Sequence, residues 1–189
     1  MKRTLIALTL ASAALATLPG CIPLAVTGAG AAALMASDRR TTGMYIEDEN
    51  IELKMLGVKE RFSAAHFSAT SYNRRVLLTG EAPDEATRAR IEEYAHGLPS
   101  VKEVIDEIQV SGNSSLASRG SDALITSNVK TRMVNHPKFS ANHVKVITEA
   151  GTVYLMGLVS PEEGDAAVEI ARTTSGVVRV VKVFEYIGK

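Results

Sequence analysis

The chain has 189 residues, 46% of them hydrophobic and 22% charged, which allows one medium-sized domain or two small ones. Basic and acidic residues balance at 21 each, and tryptophan is absent. A nucleic-acid partner is therefore not expected, because the chain has neither a basic field nor a set of stacking aromatic side chains. The single cysteine excludes an intramolecular disulfide.

Residues 1–20 have the layout of a secretory signal peptide: a basic start, an apolar run and a short closing motif. The closing motif, Leu18-Pro19-Gly20 followed by Cys21, resembles the lipobox of bacterial lipoproteins. The alternative is an ordinary signal peptide with an incidental cysteine. The position of Cys21 at the expected cleavage point favours the lipobox.

The lipobox implies that Cys21 carries a diacylglyceryl group and an amide-linked acyl chain such as palmitate, with no other cofactor. Several acyl chains give stable anchoring. Ile22 is not the aspartate that retains enterobacterial lipoproteins in the inner membrane, so we expect an outer-membrane protein facing the periplasm. Residues 21–47 are predicted to be a lipidated, flexible tether, with Asp38-Arg39-Arg40 as a solvated boundary.

Hydrophobic periodicity and turn residues predict the same αββαβ unit twice, at residues 48–110 and 121–188, joined by a polar linker at 111–120. We therefore expect an α+β fold of two small mixed sheets, each covered by two helices. In the first copy the predicted helices are 48–62 and 84–97, and the predicted strands are 67–71, 76–79 and 101–110. In the second copy the helices are 123–135, capped by Ser121-Asp122, and 161–174, capped by Ser160, and the strands are 144–148, 153–159 and 177–187.

The strand 153–159, interrupted by Gly157, together with the ending Ser175-Gly176-Val177 and Val180, resembles the BON domain. Two such units behind a lipobox are similar to periplasmic lipoproteins with two BON domains. The resemblance covers nearly the whole mature chain. The first copy departs from it at Ser100-Val101, where the family has Gly-Val.

Catalytic and metal-binding patterns are missing from the sequence. The four histidines have no helical i, i+4 pair and no nearby cysteine, so no metal site is predicted. No nucleophile elbow or phosphate-binding loop occurs, and the protein is not expected to be an enzyme. We interpret Gly80, Gly157 and Gly176 as structural glycines, the first two packed against the helix of their own domain or forming a bulge, and the third ending a helix.

The first helix of the second copy is the candidate binding element. Ile125, Val129 and Met133 form one helical stripe that is predicted to cover the sheet, whereas Leu124 lies on the opposite side beside Asn128 and Thr131. Lys130, Arg132 and Lys138 are near enough in sequence to meet lipid phosphates. The second copy has 8 basic and 7 acidic residues at 121–189, against 8 and 12 at 48–110, so it suits an anionic surface better.

In the dual-BON lipoproteins, the second domain binds anionic phospholipid chiefly through this helix, with an aromatic residue at the position of Leu124. The resemblance implies binding of phosphatidylglycerol or cardiolipin and a role in outer-membrane integrity, including at division sites. Leucine lacks the interfacial preference of tryptophan, so we expect weaker binding. The predicted lipid contacts are Leu124, Ile125, Asn128, Lys130, Thr131 and Arg132.

A second hypothesis makes the two domains a scaffold for an envelope protein, such as the outer-membrane assembly machinery. The acidic first copy and the linker suit that role. The two hypotheses predict different binding partners.

Overall fold

The computed structural model describes residues 38–112, 116–134, 136–137 and 140–188. The predictions for residues 1–20, for Cys21 and for the tether up to residue 37 lie outside these ranges. All described elements belong to one compact unit, Ser37–Lys189, which contains its own hydrophobic clusters. None of the helices in the described ranges is both long and apolar enough to cross a bilayer.

Each copy forms one α+β domain, as predicted. Domain 1 consists of α1 (Thr42–Leu56), a 3₁₀ turn (Lys59–Phe62), β1 (His66–Tyr72), β2 (Arg75–Ala82), α2 (Glu85–His96) and β3 (Glu103–Val110). Domain 2 consists of α3 (Leu116–Val134), a 3₁₀ turn (Ala141–His143), β4 (Val144–Glu149), β5 (Thr152–Val159), α4 (Pro161–Arg172) and β6 (Arg179–Tyr186).

Each sheet has three strands with the middle strand of the sequence at its centre. β1 pairs antiparallel with β2, and β3 pairs parallel with β2 after the α2 crossover. β4, β5 and β6 repeat this arrangement. The mixed sheets predicted from the sequence are confirmed.

The helix starts of α2 and α4 follow from their capping residues. The side chain of Asp84 accepts a hydrogen bond from the backbone N–H of Thr87. Ser160 and Glu163 form the predicted capping box, with Pro161 in the first turn. These caps satisfy backbone donors that a helix start would otherwise leave unpaired.

Two predicted segment boundaries are wrong. α1 begins at Thr42 with Thr41 as its cap, so residues 42–47 are helical and not part of a flexible tether. α3 begins at Leu116, so the second half of the predicted linker 111–120 is also helical. Asp122 therefore lies inside the helix and is not its cap. Ser118 and Gly120, which have low helix propensity, concealed the extra helical residues.

Instead, Asp122 holds the hairpin turn of its own sheet. Its carboxylate accepts hydrogen bonds from the backbone N–H groups of Ala150 and Gly151, at 3.0 and 2.8 Å. Both turn residues have positive φ, which is the type I′ geometry of two-residue hairpins. In domain 1 the buried Asp48 accepts in the same way from Asn73 and Arg74. We call this pair of hydrogen bonds the aspartate clamp. Because it occurs in both domains, Asp48 of domain 1 corresponds to Asp122 of domain 2.

The cores lie between the helices and one face of each sheet. Val76 and Leu78 of β2 belong to the domain 1 core, and Val153 and Leu155 of β5 belong to the domain 2 core. The alternate residues of these strands point to the opposite faces. Those opposite faces form a third cluster that joins both domains, and its buried members are Tyr72, Leu77, Tyr154, Met156 and Val183. The two sheets thus contact each other face to face, which explains the unbroken apolar runs of β2 and β5.

Polar contacts surround this shared cluster and fix how the domains meet. Lys145 of domain 2 pairs with Glu52 of domain 1 at 2.7 Å, and Arg179 pairs with Glu107 at 3.0 Å. Arg75 donates to the carbonyl oxygens of Val183 and Phe184. Together these contacts define one relative geometry of the two domains.

The shape that the two sheets share depends on close backbone approach at two glycines. A Cβ atom at Gly80 would collide with the carbonyl oxygen of His66, and one at Gly157 would collide with that of His143. The close neighbour is therefore backbone at the start of the adjoining strand. Both predicted alternatives, packing against the domain's own helix and a bulge, are wrong, because each glycine pairs one-to-one with a residue of that strand. Gly176 has φ +87°, and Ser100 adopts the same left-handed conformation in domain 1, with φ 72°.

Candidate lipid-binding surface

The outer face of α3 is exposed and carries no charge along its centre. Ile125, Val129 and Met133 are buried against the sheet, which confirms the predicted stripe. Leu124 is 68% exposed on the other side of the helix. Exposed residues that share this outer face include Ser127, Asn128, Thr131 and, at the end of the helix, Val134. The result is a helical surface with two exposed apolar side chains, Leu124 and Val134, among small polar ones.

Two residues predicted to contact lipid have other roles. Ile125 is only 4% exposed and belongs to the domain 2 core, so it is not available at the surface. The guanidinium of Arg132 donates to the carbonyl oxygen of Ile170 and to the hydroxyls of Thr173 and Thr174, at 2.6 to 2.9 Å. Arg132 therefore caps the carboxyl end of α4. Lys138 lies outside the described residues.

Lys130 lies at the edge of the outer face and lines a cleft of about 430 Å³ at the junction of the domains, together with Arg40 and Lys145. Burial of the ammonium group, assisted by the charge of Lys145, lowers the pKa of Lys130. Lys145 is already paired with Glu52. Of the two described basic residues predicted to contact lipid, Arg132 is occupied by the end of α4, which leaves Lys130 as the one better placed to interact with phosphate.

The residues just before α1 form a polar arm that contacts both domains. The Arg40 side chain is only 7% exposed and pairs with Asp38 and Asp48 while its guanidinium lies 4.1 Å from the ring centre of Tyr72. Burial alone would lower the pKa of Arg40, but the hydrogen bonds to the two carboxylates raise it above its usual value. The prediction of a solvated boundary at 38–40 is therefore wrong, because the partners of Arg40 come from α1 and β1.

Arg39 connects the same arm to domain 2. Its guanidinium makes two hydrogen bonds to the Glu163 carboxylate, at 2.6 and 2.9 Å, and a third to the carbonyl oxygen of Leu158. Although burial opposes the shift, hydrogen bonds from Arg39, the Ser160 backbone and His143 lower the pKa of Glu163 to about 2. The point at which the tether leaves the compact unit is therefore fixed on both domains.

An acidic group lies near the hairpin turn of domain 2. Glu149 is partly buried, and this burial together with the charges of Glu81 and Asp122 raises its pKa to about 7, with Arg119 acting in the opposite direction. Within the described ranges no set of three or more His, Cys, Asp or Glu side chains is placed to hold a metal ion. Among the predicted lipid contacts, the structure leaves Leu124, Asn128, Lys130 and Thr131 exposed on α3.

The arrangement of two αββαβ domains corresponds to a known family. The BON domain model matches residues 53–112 and 121–188, and the chain belongs to the BON-domain family with two copies of the domain. It is 38% identical over 174 residues to "Outer membrane lipoprotein DolP" of Haemophilus influenzae, covering 90% of both chains. This relationship confirms the predicted dual-BON lipoprotein of the outer membrane.

Two further relatives match most of the chain. The chain is 33% identical over 157 residues to "21 kDa hemolysin" of Actinobacillus pleuropneumoniae, covering 79% of both chains. It is 26% identical over 147 residues to "Osmotically-inducible protein Y" of Escherichia coli, covering 75% of this chain and 73% of that one.

Proposed function

We propose that this outer-membrane lipoprotein binds anionic phospholipid, phosphatidylglycerol or cardiolipin, through the outer face of α3 and thereby supports outer-membrane integrity. The observation that carries the proposal is Leu124, which is 68% exposed on an uncharged helical face of the less acidic domain. The covalent diacylglyceryl and acyl groups expected on Cys21 belong to the same proposal, because they would keep this face within reach of a bilayer.

The physical terms favour a shallow contact with the lipid interface. Transfer of one leucine side chain from water to an apolar environment contributes about 1.5–3 kcal/mol. The neighbours Ser127, Asn128 and Thr131 carry no charge whose desolvation would oppose this transfer. Lys130 adds about 1 kcal/mol of attraction to an anionic surface. These free-energy contributions together give weak binding. Weak binding is sufficient for an anchored protein, because the anchor keeps the local concentration of lipid high.

Vesicle binding of the compact unit 37–189 tests the proposal without the anchor. We expect wild type to bind vesicles that contain phosphatidylglycerol and Leu124→Glu to bind at least about tenfold more weakly, because a carboxylate is repelled by the anionic surface and costs energy to desolvate. Leu53→Glu is the matched control, since Leu53 is 63% exposed on α1 of the other domain. NMR shifts on lipid addition that leave α3 unaffected would contradict the proposal.

A second candidate function is a scaffold for an envelope protein, such as the outer-membrane assembly machinery. It is favoured by an exposed apolar stripe on α1, formed by Ile46, Leu53 and Leu56, in the more acidic domain. Crosslinking in cells that captures one stoichiometric protein, combined with no lipid binding in vitro, would support this function over the first.

Enrichment at division sites is a further part of the first proposal and rests on the resemblance alone. Fluorescence microscopy of the tagged lipoprotein tests it. We expect Leu124→Glu to reduce any enrichment at the septum, whereas Leu53→Glu leaves it unchanged.

A further inference from the structure

Val178 is the most exposed of the large apolar side chains in the described part of the chain, at 82%. It lies in the short turn between α4 and β6. Solitary exposed apolar residues are common on protein surfaces. Val178 differs from such solitary residues in two ways: backbone hydrogen bonds hold its turn in one conformation, and the turn lies beside α3.

The turn is fixed by its backbone. Gly176 adopts φ +87°, a conformation that favours glycine, and the N–H of Val177 donates to the carbonyl oxygen of Thr174 at 3.2 Å. The N–H of Val178 donates to the carbonyl oxygen of Gly151 at 2.9 Å. Val178 is thus presented to solvent on an ordered support.

The turn lies beside the part of α3 that carries Leu124. A Cβ atom on Gly176 would lie 3.1 Å from Cδ1 of Ile125, so the turn packs against the Ile125 side chain. Gly151, which accepts from Val178, donates its own N–H to the carboxylate of Asp122 at 2.8 Å. Asp122 and Ile125 flank Leu124 in the helix. Leu124 and Val178 are therefore both exposed at the same end of domain 2.

The first domain shows that the fold does not require apolar residues at these positions. The aspartate clamp makes Asp48 equivalent to Asp122, which places Asn50 at the position of Leu124. The N–H of Lys102 donates to the carbonyl oxygen of Arg74, just as Val178 donates to Gly151. Asn50 and Lys102 are exposed and polar. In domain 2 the equivalent residues, Leu124 and Val178, are both exposed and apolar. Since the fold does not need apolar residues there, the difference indicates that both side chains contact a ligand.

We propose that Val178 is a second membrane contact and that it enters the interface of an anionic bilayer together with Leu124. This inference rests on the proposed function and extends it from one helix face to an edge formed by two chain segments. The occupant is a lipid surface because a lipid anchor is expected at Cys21, 17 residues before Asp38. Arg39 is held at Leu158 and Glu163, at the other end of β5 from Gly151, and a fully extended tether of about 60 Å is long enough for this edge to reach the bilayer.

Binding of the compact unit 37–189 to vesicles of phosphatidylcholine with phosphatidylglycerol tests the inference. Removing one valine side chain from the contact is expected to weaken binding about fivefold for Val178→Ser, and the double change Val178→Ser with Leu124→Ser is expected to be weaker than either single change. Val110→Ser, at an exposed valine of domain 1, is the control and leaves binding unchanged.

A second measurement reports the contact directly. The unit 37–189 contains no cysteine, since Cys21 is the only one in the chain. Val178→Cys therefore accepts one environment-sensitive fluorophore, and a blue shift on addition of the anionic vesicles is expected. The same label at Asn50→Cys should show no shift.

The outcomes distinguish failure of the second contact from failure of the proposed function. If wild type binds, Leu124→Ser weakens binding and neither Val178 measurement responds, the second contact is overturned while the proposed function stands. If wild type fails to bind anionic vesicles, both are overturned. If the label at position 178 responds to a protein of the envelope and not to vesicles, this edge is a protein interface and the lipid contact is overturned.

Discussion

Domain 1 and domain 2 have the same internal hydrogen-bond frame and different surfaces. In each domain a buried aspartate of the first helix holds both N–H groups of a type I′ hairpin turn, and a turn residue then accepts a hydrogen bond from the chain entering the last strand. The residues that serve this frame occupy equivalent positions, whereas the exposed residues beside it differ in chemistry. The function of this chain therefore depends on the exposed side chains that do not take part in these hydrogen bonds.

One position shows how tolerant the frame is. The left-handed residue before the last strand is Gly176 in domain 2 and Ser100 in domain 1, and both have positive φ. A left-handed conformation of a non-glycine residue costs on the order of 1–3 kcal/mol. Domain 1 retains the turn despite that cost, so the departure from the Gly-Val motif changes the sequence and preserves the backbone.

The largest expected difference between the domains concerns the two clamps. Asp48 also pairs with the buried Arg40, whereas Asp122 binds only backbone N–H groups among its described contacts. Asp48→Ala should lower the free energy of unfolding by about 3–5 kcal/mol, because the buried guanidinium of Arg40 loses one of its two carboxylate partners. Asp122→Ala should cost about 1–3 kcal/mol. Urea unfolding of the 37–189 unit measures both, with the exposed Asp165→Ala as control. Equal losses would refute the difference.

A second prediction concerns the coupling of the two domains through their sheets. Leu77 and Leu78 are adjacent and both fully buried, but Leu77 belongs to the cluster shared by both domains and Leu78 to the core of domain 1. Each change to alanine should cost about 2–4 kcal/mol. Only Leu77→Ala should separate the unfolding transitions of the domains in calorimetry. A single cooperative transition for Leu77→Ala would show that the polar rim alone couples them.

The smallest expected effect depends on pH and distinguishes domain 2. Glu149 has a pKa of about 7 in the folded protein because of burial and of the charges on Glu81 and Asp122, against an ordinary value of 4.5. A raised folded-state pKa means that the carboxyl group destabilises the fold progressively from pH 4.5 to 7 and fully above pH 7. Glu149→Gln should therefore raise the free energy of unfolding by about 1–2 kcal/mol at pH 8, allowing for solvent screening.

Thermal unfolding at several pH values measures this effect. At pH 4 the stabilisation by Glu149→Gln should fall to a few tenths of a kcal/mol at most, because the carboxyl group is then mostly protonated in both the folded and the unfolded state. Glu60→Gln, at an exposed glutamate of domain 1, is the control. A stabilisation by Glu149→Gln that is the same at both pH values would exclude titration of Glu149 as its cause.

The sequence by itself determined the features that depend on neighbouring residues. The order of the helices and strands follows from apolar periodicity and turn residues, the start of α4 follows from Ser160-Pro161 and Glu163, and the buried stripe of α3 follows from helical spacing. Each is a property of a few consecutive turns or strand residues, so local physics is sufficient. The exposure of Leu124 could be predicted for the same reason.

Only the tertiary structure decided what distant partners do with the remaining residues. The sequence predicts a solvated Arg39, whereas in the structure it pairs with Glu163, 124 positions away. Asp122 had the spacing of a helix cap, yet its partners are in a hairpin 28 and 29 residues later. Ile125 and Leu124 are adjacent in sequence, but only Leu124 faces outward where Val178 is also exposed. A charge or a methyl group acquires its role from what the fold places next to it, and sequence spacing does not encode those neighbours.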